Sequence, residues 1–142
     1  MYGIIATWRM ALEGISKADS MLKNNESAAD SIEEAIKAVE DFEYYKSVGY
    51  GGLPNEEMEV ELDAAFMDGD TLEFGCVGGV KDFANPVSIA RSLMHYDANN
   101  FLIGQGAEKY ASRHGFERKT MLTDRAKIHY HNRTKEITNT EL

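Results

Sequence analysis

SVGYGGLPNEEMEVELDAAFMDG, residues 47–69, is the stretch that organises the rest of the chain. It opens with three glycines at positions 49, 51 and 52, which permit backbone conformations closed to other residues. Val60, Leu62, Ala64 and Phe66 then alternate with Glu59, Glu61, Asp63 and Ala65, the period of a half-buried strand. Asp68-Gly69-Asp70 supplies turn chemistry, and Leu72, Phe74 and Cys76 alternate again. Residues 59–77 therefore read as a β-hairpin entered through a glycine-rich loop, with Leu72, Phe74 and Cys76 on its apolar side.

On the N-terminal side of this stretch, Tyr2–Thr7 carries Ile4, Ile5 and Ala6 and reads as a short buried strand. Ala11, Ile15, Ala18 and Leu22 recur at helical spacing. Ser27 is an N-cap followed by Asp30, and Ala28, Ile32, Ala35, Ile36 and Val39 form one apolar stripe. Glu33, Glu34, Lys37 and Glu40 form the wet face, so this helix is expected to pack on a sheet. On the C-terminal side, Asn85-Pro86 reads as a cap and first helical residue ahead of Ile89, Ala90, Leu93 and Met94. Phe101–Ile103 is a short strand, and a helix from about Ala107 stops at Gly115. Beyond Phe116 the period is weak, and 117–142 is expected to be a polar surface segment with a flexible tail. The class is α+β rather than regular βαβ.

Composition bounds the chemistry. With 142 residues, 43% hydrophobic and 27% charged, the chain is one globular domain's worth of sequence. Its 15 Lys+Arg against 24 Asp+Glu give a net charge of -9 with no basic stripe, which argues against a nucleic-acid surface. No apolar run is long enough to cross a bilayer, and no basic segment precedes the short N-terminal apolar stretch as in a secretory signal. One cysteine, Cys76, cannot form an internal disulfide, which fits a cytoplasmic location; a signal already removed would leave periplasmic or secreted placement open. The four histidines lack metal-site spacing, so no metal is expected.

Candidate site residues are few. The glycine-rich loop is neither a Walker loop, since no Gly-Lys-Ser/Thr follows, nor a dinucleotide fingerprint, since a strand follows it rather than a helix. It is either a plain loop or one whose backbone passes close to a reacting centre. Trp8, the single tryptophan, stands just past an apolar segment and is either a core aromatic or a binding wall. Cys76 lies in a strand without a histidine partner and reads as inert, and Glu56, Glu57, Glu59 and Glu61 read as a solvated run.

Three ordered blocks carry a resemblance: residues 47–69 above, VKDFANPVSIARSLM at 80–94 and FLIGQGAEKYASRHGF at 101–116, with ATW at 6–8. Over roughly residues 4–116 the chain resembles the α subunit of the glycosylasparaginases, N4-(β-N-acetylglucosaminyl)-L-asparaginases. These are N-terminal-nucleophile hydrolases, grouped with plant-type asparaginases and isoaspartyl peptidases. The resemblance implies a four-layer αββα sandwich shared by two chains cut from one precursor, in an (αβ)₂ assembly and without a cofactor. It also implies a threonine at the start of the β chain, whose hydroxyl attacks the side-chain amide of an asparagine derivative while its own α-amino group takes the proton. A Thr hydroxyl needs such a base, and an α-amino group titrates at about 7.7–8.0, leaving a useful neutral fraction near neutrality.

No His-Asp-Thr-Ile/Val-Gly junction occurs in this sequence, so the expectation is an α chain alone: 1–116 as the α half of the domain and 117–142 leading to the cleavage site. Trp8 matches the family's active-site tryptophan. Met10, two positions on, stands where the glycosylasparaginase branch often has Phe and belongs to the same substrate wall. Ser47 matches a serine whose hydroxyl contacts the nucleophile's amine, and Asp63 matches a family position with a structural role. The leaving amine is not fixed by these residues, so isoaspartyl peptidase or L-asparaginase activity stands as an alternative, and so does a non-catalytic domain of the same fold.

Overall fold

The computed structural model describes residues 1–140. After an extended arm and a 3-10 turn, Arg9–Ala11, come helices α1 (Leu12–Lys23) and α2 (Ala28–Glu40). Strands β1 (Glu61–Met67) and β2 (Phe74–Lys81) follow, then α3 (Pro86–Leu93), β3 (Phe101–Ile103), α4 (Gly104–Arg113) and α5 (Asp124–Thr140). The class is α+β, with a small mixed sheet. β2 is central, antiparallel to β1 and parallel to β3, with α3 forming the crossover.

The hairpin forms as its alternation demands. Leu62, Ala64 and Phe66 lie opposite Val80, Val77 and Gly75, and α3 and α4 pack on this face. Phe83, Ile89 and Leu93 are fully buried there, in one core with Val77, Val80 and Ala111. The phase of the second strand is the reverse of the expectation: Gly75 and Val77 face the core, while Leu72 and Phe74 are exposed and Cys76 is half-buried. The cause is close packing. A Cβ on Gly75 would come within 2.0 Å of the Ala90 carbonyl oxygen, so only glycine fits under α3.

The opposite face carries Met67, Phe74, Ala65, Cys76, Phe101 and Ile103, paired across the three strands. Nothing among the described residues covers it: Phe101 is 61% and Ile103 67% exposed.

Other expectations change in detail. Tyr2–Thr7 forms no strand. Its extended backbone has no pairing partner among the described residues, and Ile5 is 93% exposed. The apolar stripe on α2 forms with the Ser27 side chain accepting from the Asp30 N–H at 3.0 Å, but α2 packs chiefly on α1 rather than on the sheet. Glu40 is not on the wet face; it is 6% exposed. Asn85 stands at the N-cap of α3 without capping it, because its left-handed backbone (φ 50°) turns its side chain away to Glu40 and Asp41. α4 begins at Gly104, three residues before the expected start. Residues 124–140 are helical, started by Thr123 accepting from the Ala126 N–H at 3.2 Å and anchored by buried Met121 and Ala126. Ile128 and Ile137 further along the helix are exposed, so its apolar residues do not line up on the core side, which is why no apolar period announced it.

Candidate functional site

Two hollows adjoin along the C-terminal half of α2. The larger, about 720 Å³, lies between the extended arm and the α1–α2 pair. Its lining is almost wholly apolar and includes Trp8 and Met10 facing Ile32, Ile36 and Val39. Trp8 is 71% exposed, so it is not a core aromatic in this chain. It closes the arm just ahead of the 3-10 turn, with its carbonyl accepting from the Ala11 N–H at 3.0 Å. The extended arm therefore forms one wall of the hollow and α2 the other.

The smaller hollow, about 360 Å³, is lined by Ser47, Val48 and Gly49 from the glycine-rich loop, Asp63 and Ala65 from β1, and Glu40. Ile36 and Val39 line both hollows. Trp8 and Met10 are thus brought together in one, Ser47 lies in the next, and one turn of α2 stands between them. The structure joins the three expected residues into one neighbourhood without bringing them into contact in a shared pocket.

The glycines that follow Ser47 have a specific purpose. Gly49 sits at φ 60°, and a Cβ there would come within 2.0 Å of the Glu40 carbonyl oxygen. That carbonyl accepts the Tyr50 N–H at 2.7 Å, and the Gly51 N–H reaches the Met121 carbonyl at 2.9 Å. Lys46 Nζ adds bonds to the Glu43 and Gly51 carbonyls. The loop is therefore clamped to the end of α2, and Ser47 is left exposed at the rim of the hollow. Asp63 braces the hairpin. Its Oδ1 accepts the Gly79 N–H at 2.8 Å, across the irregular register between Leu62 and Ala64.

Glu40 is the residue that sequence reading placed wrongly. One carboxyl oxygen accepts from the Val87 N–H at 3.3 Å, in the first turn of α3. The other accepts from Asn85 Nδ2, also at 3.3 Å. Burial raises the carboxyl against the pull of those two hydrogen bonds, and with a smaller push from Asp41 and Glu33 it titrates at about 7. Arg91 does not reach it, being engaged by Glu33 and by Asp30 at 2.6 Å. The helical period placed position 40 next to the wet face, so only the tertiary packing of α3 over it could have revealed its burial.

Among the described residues no cluster of His, Cys, Asp and Glu could hold a metal ion, and no helix is long and apolar enough to cross a membrane.

The family model described as Asparaginase matches residues 5–141, so the likeness runs through the C-terminal helix as well as the three sequence blocks. The chain is similar to the N(4)-(beta-N-acetylglucosaminyl)-L-asparaginase of Elizabethkingia miricola, at 34% identity over 84% of this chain and 35% of the relative. It is 38% identical to the isoaspartyl peptidase/L-asparaginase of Rattus norvegicus, over 82% of this chain and 37% of the relative. It is likewise 38% identical to the isoaspartyl peptidase of Escherichia coli K12, over 73% and 32%. The chain spans about a third of the length of the curated relatives it matches.

Proposed function

We propose a function from one established premise: the chain belongs to the asparaginase family. It is the α side of an amidohydrolase that cuts itself from a precursor and works with a β chain beginning in threonine. The observation that carries this reading is the uncovered apolar face of the sheet, Met67, Phe74, Phe101 and Ile103, beside an open groove under Trp8. A second sheet from the β chain, laid on that face, completes the four-layer αββα sandwich, and two such pairs make an (αβ)₂ assembly. Apolar surface on this scale is costly to leave in water, and a partner sheet is the natural cover for it.

In the proposed reaction the threonine Oγ attacks the side-chain amide carbon of an asparagine derivative, and the threonine's own amine takes the hydroxyl proton. The tetrahedral intermediate collapses, the C–N bond breaks, and the departing amine takes that proton. Water then adds to the β-aspartyl ester and releases aspartate and the free hydroxyl. Ser47 holds the threonine's amine in place by a hydrogen bond, which is the use of a loop clamped so tightly by its glycines. Trp8 and Met10 form the wall against the substrate.

The favoured substrate is N4-(β-N-acetylglucosaminyl)-L-asparagine. A second reading, isoaspartyl dipeptides or asparagine itself, is supported by relatives at 38% identity that carry those names. The test measures the intact mass of the purified protein and compares kcat/KM on the three substrates. Two fragments, one starting with threonine, and the highest kcat/KM on the glycosylated asparagine are expected. A higher value on an isoaspartyl dipeptide would move the assignment to the second reading. A single uncut species that hydrolyses none of them would make this a non-catalytic domain of the same fold.

A further inference from the structure

Glu40 joins three elements at one point. Its backbone carbonyl accepts the Tyr50 N–H and touches Gly49, which fixes the loop that carries Ser47. Its carboxyl accepts the Val87 N–H and the Asn85 side chain, which fixes the start of α3. It also lines the hollow that Ser47 lines. The groups facing it are acidic or neutral: Glu33 from α2, Asp41 just past its end, Glu61 and Asp63 from β1 across the hollow, and Asn85 from the entry to α3. The nearby cations are spoken for, Arg91 by Glu33 and Asp30 and Lys37 by Glu34.

We propose that Glu40 is a positioning residue for Ser47: protonated, its carboxyl seals the joint between α2, the glycine-rich loop and α3; ionised, it draws water into the hollow and loosens the loop. The inference rests on the reading of Ser47 as part of the site. Its physics is linkage. Glu40 titrates near 7 in the closed joint, whereas a carboxyl in water titrates near 4.5. The closed joint therefore binds the proton more tightly than any open form. Closure is firmest below the ordinary carboxylate range and weakens as pH rises toward 7.

Amide exchange reads the joint without reference to activity, measured on the protein as purified with any copurifying chain left in place. Protection at Tyr50 and Val87, taken relative to the intrinsic exchange rate at each pH, is expected to fall about tenfold or more between pH ~5 and ~8. Glu40→Gln makes protection at both amides independent of pH. Asn85→Gly suits the left-handed backbone and removes a donor that holds the carboxyl down, so the fall extends to higher pH. It serves as the deciding variant if Glu40→Gln does not fold. Protection that ignores pH in the parent protein overturns the proposal, as does a fall that survives Glu40→Gln or one that Asn85→Gly leaves in place.

Hydrolysis is followed in parallel. Glu40→Gln is expected to hold kcat up on the alkaline side with KM unchanged, and to have no such effect once Ser47 is alanine. A pH effect of Glu40→Gln that persists without Ser47 overturns its positioning role. The exchange step without any hydrolysis refutes the amidohydrolase reading and leaves the joint; hydrolysis without the step refutes the joint and leaves the enzyme.

Discussion

The two faces of the sheet are built from the same kinds of residue and have opposite surroundings. Val77, Val80 and Phe66 look into α3 and α4 and are almost inaccessible. On the alternate positions of the same strands, Cys76, Met67 and Phe74 look out with nothing among the described residues over them. Strand alternation therefore says which residues share a face but not which face is covered. Only the helices that follow in the chain decide that, and α3 and α4 can cover one side. The same holds for the groove under Trp8, where α2 presents a complete apolar stripe to an arm too short to bury it.

The difference between the faces is tested most severely on the packed side. Leu93→Ala removes a side chain with no exposure and is expected to cost about 2–5 kcal/mol, measured by denaturant unfolding. Phe101→Asp probes the open side. It leaves that core intact but, with the β chain proposed above laid on this face, is expected to cut recovery of that second fragment by about tenfold or more, read by intact mass, because a carboxylate buried without a partner is costly. Equal loss of core stability from both changes would mean that the faces are not distinct.

In the neighbourhood of the hollows, Ser47→Ala is expected to slow self-cleavage or lower kcat by about tenfold, the equivalent of one hydrogen bond of about 1.4 kcal/mol. Trp8→Ala raises KM or lowers kcat through lost packing, and unchanged kinetics would remove that residue from the wall. The smallest effect is expected at the Lys23–Asp19 pair, 2.6 Å apart on the exposed side of α1. There Asp19→Asn should leave the midpoint of the same denaturant unfolding unchanged, because an exposed pair is screened by water.

What was legible in the sequence was local. The hairpin could be read because Val60, Leu62, Ala64 and Phe66 keep a two-residue period, and α2 could be read because Ser27 caps an unbroken stripe. The phase of β2 was hidden because the residue it places directly under α3, Gly75, carries no hydrophobic signal, while Phe74 and Cys76 beside it do. Helix α5 was hidden because the residues that tie its start to the core, Met121, Thr123 and Ala126, keep no helical period, while Ile128 and Ile137 are exposed. The 2–7 segment reads as a strand from its own residues, but a strand is completed by a partner, and none of the described residues provides one. Trp8, Met10 and Ser47 were chosen by resemblance, and the fold gathers them around one turn of α2. Glu40 was misplaced because its burial depends on α3, some 45 residues further along the chain.

The chain's one thiol sits on the open face, at the centre of the sheet, with Ala65 on one side and Phe101 on the other. A maleimide added at intervals after synthesis would tag Cys76 only for as long as that side of the sheet meets solvent. The extent of alkylation thus becomes a clock for assembly, started by folding of the hairpin and stopped by whatever closes over it.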